Sequence, residues 1–138
     1  MATYNKFNQF TKDLIDGVHD FDAHTFKVLL TNTAPLATNS VKADLTEISA
    51  GNGYTAGGAT TTITTSTSSG TAKATASDVT FTASGGTIGP FRYAAGYNDT
   101  ATGDPLIFWV DYGSSITLQD TEQLVVDFDA SNGIFTVA

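Results

Sequence analysis

The sequence predicts a mainly β fold, an antiparallel β-sandwich or jelly-roll-like domain with one N-terminal α-helix. Three observations predict it. Short runs rich in Val, Ile, Phe, Tyr and Thr recur through the second half of the chain, separated by Gly, Pro, Asn and Asp. One stretch near the start places apolar residues at helical spacing. The length, 138 residues, suits one hydrophobic core, so a single domain over 1–138 is expected.

Residues 4–18, YNKFNQFTKDLIDGV, set Phe7, Phe10, Leu14 and Val18 three and four apart, with Lys6, Lys12, Asp13 and Asp16 elsewhere around the wheel. This spacing predicts an amphipathic helix ended by Gly17, whose stripe covers either the domain's own sheet or another chain. From Thr25 to Thr31, Phe26, Val28 and Leu30 alternate as in a strand buried mainly on one side. NTAPLATNSVKADLTEIS, with Pro35, reads as a loop holding one short helical turn.

Residues 51–78 are compositionally unlike the rest, with Tyr54 and Ile63 as their large apolar side chains. Within them, about 59–76 reads as a Thr-rich hairpin or arm. Ser68, Ser69 and Gly70 turn one strand back on a second that carries Ala72, Ala74 and Ala76 on one face. So little apolar surface leaves it either a mobile projection or an arm ordered by another subunit.

Strands are then expected at 78–82, 91–98, 106–112, 123–128 and 133–137. The last two are read as a hairpin, because Asn132-Gly133 supplies the positive φ angles of a tight turn. Gly85, Gly86, Gly89 and Pro90 punctuate the connection into Phe91.

Composition narrows the function. There are 0 Cys, which removes disulfides, thiolate zinc sites and cysteine nucleophiles. No window reaches the roughly 20 apolar residues of a membrane-spanning helix. The start, MATYNKFNQF, lacks the basic and apolar regions of a secretory signal, so synthesis as a soluble cytoplasmic protein is expected. The net charge is -8, and Lys6, Lys12, Lys27, Lys42, Lys73 and Arg92 are scattered, which makes direct nucleic-acid binding and anionic membranes poor expectations.

Candidate chemistry is sparse. His19 and His24, among Asp16, Asp20 and Asp22, superficially resemble a metal or acid/base cluster, but polar residues also gather where a helix passes into a strand. Asp127, Asp129 and Ser131 alternate like the first ligands of a calcium loop. The register fails, since Gly133 falls at position seven and Ala138 at position twelve, where Gly at six and Glu at twelve are needed. Outward acids alternating with inward Val126 and Phe128 explain the same letters. Phe91, Tyr93, Tyr97, Phe108, Trp109 and Tyr112 either fill the core or form a sugar-binding platform. The glycine clusters match no phosphate-binding fingerprint, and no nucleophile elbow is present. No catalytic, cofactor-binding or metal residue is assigned, no cofactor is expected, and the chain is read as not an enzyme.

KFNQFTKDLIDGVHDF, FKVLLTNTAPLATN, DLTEISAGNGYTAGG, FTASGGTIGPFRYAAGYND and DYGSSITLQDTEQLVVDFDASNG together resemble a family of small virion structural proteins of tailed bacteriophages, nearly end to end. Its members tend to be encoded among head genes. The resemblance implies a structural protein of the virion and no catalytic residue. The expected role is capsid decoration, a cement protein on the outer capsid surface that bridges and stabilises major capsid subunits. The acidic charge favours the outside, away from packaged DNA. The partners implied are the major capsid protein and copies of itself, a homo-oligomer with a trimer as the first guess. The alternative is a tail or fibre module that binds host surface or glycan.

Overall fold

The chain's Val, Ile, Phe and Thr runs do form strands, and the β-rich reading holds. The computed structural model describes residues 2–138. β1 (Thr3–Lys6) leads into α1 (Asn8–Ile15), then β2 (Phe26–Thr31), a 3-10 turn (Lys42–Asp44) and β3 (Ala59–Thr61). β4 (Ile63–Ser68), β5 (Thr71–Ala76), β6 (Val79–Thr82), β7 (Ile88–Asn98), β8 (Leu106–Leu118), β9 (Gln123–Val126) and β10 (Phe135–Val137) follow. One layer is a five-stranded sheet in the order β1-β8-β7-β2-β3; opposite it lie β10-β5-β4 and β6-β9, with every pairing antiparallel.

The core between the layers takes Phe26, Val28 and Leu30 from β2, Phe108 and Val110 from β8, and Ala74, Ala76, Val79 and Phe81 from the opposing strands. A second cluster of Phe7, Leu29, Ala95, Tyr97 and Leu106 fills the far face of the five-stranded sheet. β2 is therefore buried on both faces, a correction to the one-sided expectation. Its alternation is broken by Leu29, which packs beneath the long loop that precedes β3. That loop is pinned by polar contacts: the Tyr54 hydroxyl donates to Glu47 Oε1 at 2.7 Å and accepts from the Leu30 amide at 3.0 Å. Glu47 Oε1 also accepts from the Gly57 amide, and the Tyr97 hydroxyl donates to the Gly57 carbonyl, both at 2.6 Å.

The helix is shorter than the 4–18 expected. Residues 4–6 are strand because they pair with Val110, Trp109 and Phe108 of β8. At the other end Gly17, with φ +72°, closes the helix, its amide bonding to the Leu14 carbonyl and that of Val18 to the Asp13 carbonyl. Phe7 enters the far-face cluster, 4.6 Å from the Trp109 ring, while Phe10 enters the main core. The stripe is thus turned on the domain itself.

The 123–128 and 133–137 runs do not form a hairpin. β9 pairs with β6, and β10 pairs with β5. Val126 faces Val79 and Phe135 faces Ala74, so nine steps along one strand oppose five along the other, and four residues have no counterpart. Asp129 organises that insertion: its carboxylate accepts from the amides of Ser131 and Asn132 at 2.8 and 2.9 Å, and its carbonyl from the Gly133 amide. Gly133 has the positive φ expected of it, but in a bulge rather than a hairpin turn. Likewise Gly89 and Pro90 lie inside β7, where the register with β8 shifts, rather than before it.

The Thr-rich hairpin is present. Ser69 and Gly70, at φ +50° and +80°, make its two-residue turn. Ala74 and Ala76 are buried, and β10 pairs with β5, so the inner strand has more packing at home than its composition suggests.

Candidate interaction surface

His19 and His24 are brought together, by an unforeseen residue. Asn98, fully buried at the end of β7, places its side-chain nitrogen 3.1 Å from His19 Nδ1 and 2.8 Å from His24 Nδ1. Its oxygen accepts from the amides of Thr100 and Ala101, which fixes the amide's orientation. Both histidines must then accept at Nδ1, so each neutral ring carries its hydrogen on Nε2. Among the described residues, no group of three or more His, Cys, Asp or Glu side chains is placed to hold a metal.

His19 lies between the rings of Phe10 and Phe21, at 5.4 and 5.6 Å, and its Nε2 is buried without a partner. Burial pushes its pKa below the ordinary 6.5; Asp13 opposes this and His24 reinforces it. The folded protein therefore resists a proton that the unfolded chain accepts, and stability is lost as pH falls below about 6.5. The melting temperature should drop between pH 7 and pH 5.5, a drop weakened in His19→Phe; an identical profile in the variant would assign the loss elsewhere. The carboxylates of Asp44, Asp111 and Asp129 titrate below their ordinary value of 3.8, outside this window.

Asp127 is exposed and Val126 and Phe128 are buried, as the alternation predicts. Asp129 spends its carboxylate on its own loop, with Asn132 Nδ2 also donating at 2.7 Å. Of the six aromatics considered as a sugar platform, Phe91, Tyr93, Tyr97 and Phe108 are buried in the sheet, while Trp109 and Tyr112 are half-buried. They are core and margin, with no open row of rings.

Open surface lies instead around the β10-β5-β4 sheet. On the β10 side an apolar groove of about 530 Å³ runs between α1 and β10, lined by Phe10, Leu14, Ile15, Phe135 and Val137. Ile15 is 84% exposed and Val137 52%. Lys6 caps the rim, its Nζ donating to Thr11 Oγ1 at 2.8 Å. On the other side β4 ends the sheet, exposed from Thr64 to Ser68. The sequence signal for the groove was Ile15, an apolar residue off the helix's buried stripe.

Comparison with protein-family models, with curated proteins and with solved structures finds no match to this chain.

Proposed function

We propose that the chain is a structural protein of a tailed-phage virion, a capsid decoration protein that sits on the outer head surface and bridges major capsid subunits. The observation that carries the reading is that one small sheet has two open margins, an apolar groove on one side and a bare strand on the other. A protein that cements a lattice needs contacts on more than one side, and many weak contacts add up through multivalency. The motif resemblance and the acidic surface support the same reading. The groove fits an apolar segment of a capsid subunit, with Ile15 and Val137 as its anchors.

The test is recruitment of purified protein to capsids that lack it, with copies counted per particle. Saturation at hundreds of copies supports decoration. Ile15→Asn should lower occupancy several-fold while leaving the melting temperature unchanged, because this side chain is already in water. Binding to a glycan array without capsid recruitment would overturn the reading in favour of a tail or fibre module.

A further inference from the structure

β4 is the longest strand that ends a sheet, and among the described residues no strand pairs with its outer edge. Its one side-chain hydrogen bond outside the hairpin is Thr65 Oγ1 donating to Asp22 Oδ1 at 3.5 Å. Natural sheets blunt such edges with charge, proline, bulges or a covering segment. ITTSTS contains none of these residues, and it pairs with β5 from Ile63 to Ser68 without a register shift. The direction of its main-chain groups follows from the turn. In a two-residue hairpin the flanking pair, here Ser68 and Thr71, bonds inward, so Ser68, Ser66 and Thr64 bond to β5 while Ile63, Thr65 and Thr67 point outward. Two contacts agree with this phase. Thr62 continues the inward set, accepting from the Ser77 amide at 2.8 Å, and Ala74, opposite Thr65, turns its carbonyl away from β4 to the Ile134 amide.

We propose that β4 is a homotypic interface, in which two copies of this chain pair their β4 edges antiparallel about a two-fold axis at Thr65. Thr65 then faces Thr65 of the second copy, and Ile63 of each copy faces Thr67 of the other. The occupant follows from symmetry and charge. The outward residues 63, 65 and 67 are centred on 65, so reversing the strand maps the set onto itself, and each outward N–H meets a carbonyl. Two chains of net charge -8 repel, and the six residues of this edge carry no ionised side chain of their own; the carboxylate beside it, Asp22, is held by Thr65 Oγ1 at 3.5 Å. Pairing joins two three-stranded sheets into one of six strands with Thr and Ser facing across the seam. The inference stands on the edge itself and does not depend on the virion reading.

Sedimentation velocity of the full chain, from low micromolar to near-millimolar concentration, should show a monomer becoming a dimer. Thr65→Pro removes an outward N–H and leaves the ladder to β5 intact, so it should abolish dimerisation with the fold retained. Ser66→Pro removes an inward N–H and should lower the melting temperature. Should proline at 65 perturb the monomer, Thr65→Lys guards the edge without touching the backbone and must also abolish the dimer. The chain has 0 Cys, so Thr65→Cys should cross-link the dimer at its axis under oxidation, and Thr67→Cys should do so far more slowly. In hydrogen exchange, the amides of Ile63, Thr65 and Thr67 should become protected only at concentrations where the dimer forms. A monomer at every concentration, or a dimer that survives both Thr65→Pro and Thr65→Lys, overturns the proposal.

Discussion

Replacing Gly58 by Ala should cost more than about 4 kcal/mol, at the extreme of single substitutions, or prevent folding altogether. The chain enters β3 at this glycine with φ +82°, and a Cβ there would stand 1.8 Å from the Val28 carbonyl oxygen and 2.8 Å from Leu29 Cα. Both obstacles are backbone of β2, the strand that β3 joins at Val28 and Ala59. Yielding would mean giving up that pairing and the loop that Tyr54 and Glu47 pin. Gly70 supplies the control: its φ is +80°, yet a Cβ there meets nothing within 4 Å. Gly70→Ala should therefore cost only the left-handed backbone, roughly 1–2 kcal/mol. Urea unfolding of both variants measures the difference, and equal losses would mean that strain in φ, and not close approach, governs both positions.

Phe10→Ala should cost about 3–5 kcal/mol. The ring is 2% exposed, edge-on to Phe135 at 5.1 Å and tilted against His19 at 5.4 Å, so truncation opens a hole where α1, β10 and the histidine loop meet. Leu14→Ala should cost less, on the order of 1–2 kcal/mol, because a half-buried side chain leaves a dent that solvent fills rather than a cavity. The double variant should then lose about 4–7 kcal/mol, against the roughly 4–8 kcal/mol that full burial of both would give. Thermal melting decides this: an unchanged midpoint for Phe10→Ala would mean that the stripe serves another chain.

The sequence made some of this architecture legible and hid the rest for a consistent reason. Strands were visible wherever local chemistry decides: the Ser69-Gly70 turn, the alternation of Val126, Asp127 and Phe128, and the aromatic runs that fill β7 and β8. What failed depends on a distant partner. Tyr4, Asn5 and Lys6 continue a helical wheel on paper and form a strand because β8 is beside them. Asn132-Gly133 has the letters of a hairpin turn, but Asp129 captures the preceding amides, and β5 and β6 offer better partners for the flanking strands. Among surfaces, the histidine pair was visible and its organiser was not, since Asn98 lies 74 residues or more from either ring. The β4 edge was readable as composition, a run of Thr and Ser without charge, although which of its residues face outward required the register.

The pairing of β10 with β5 and of β1 with β8 also bears on when the molecule can fold. Thr3 meets Asp111 and Val137 meets Ala72, pairings 108 and 65 residues apart in sequence, so both layers depend on contacts between distant parts of the chain. Such topology folds slowly, because a long loop must be closed before the contacts it enables form. During synthesis the β4–β5 hairpin emerges well before β10, and until then β5 lacks one neighbour and β4 has none beyond it. The uncharged Thr and Ser side chains that make β4 adhesive also keep it weakly hydrophobic, which lowers the hazard that a waiting edge presents to other nascent chains.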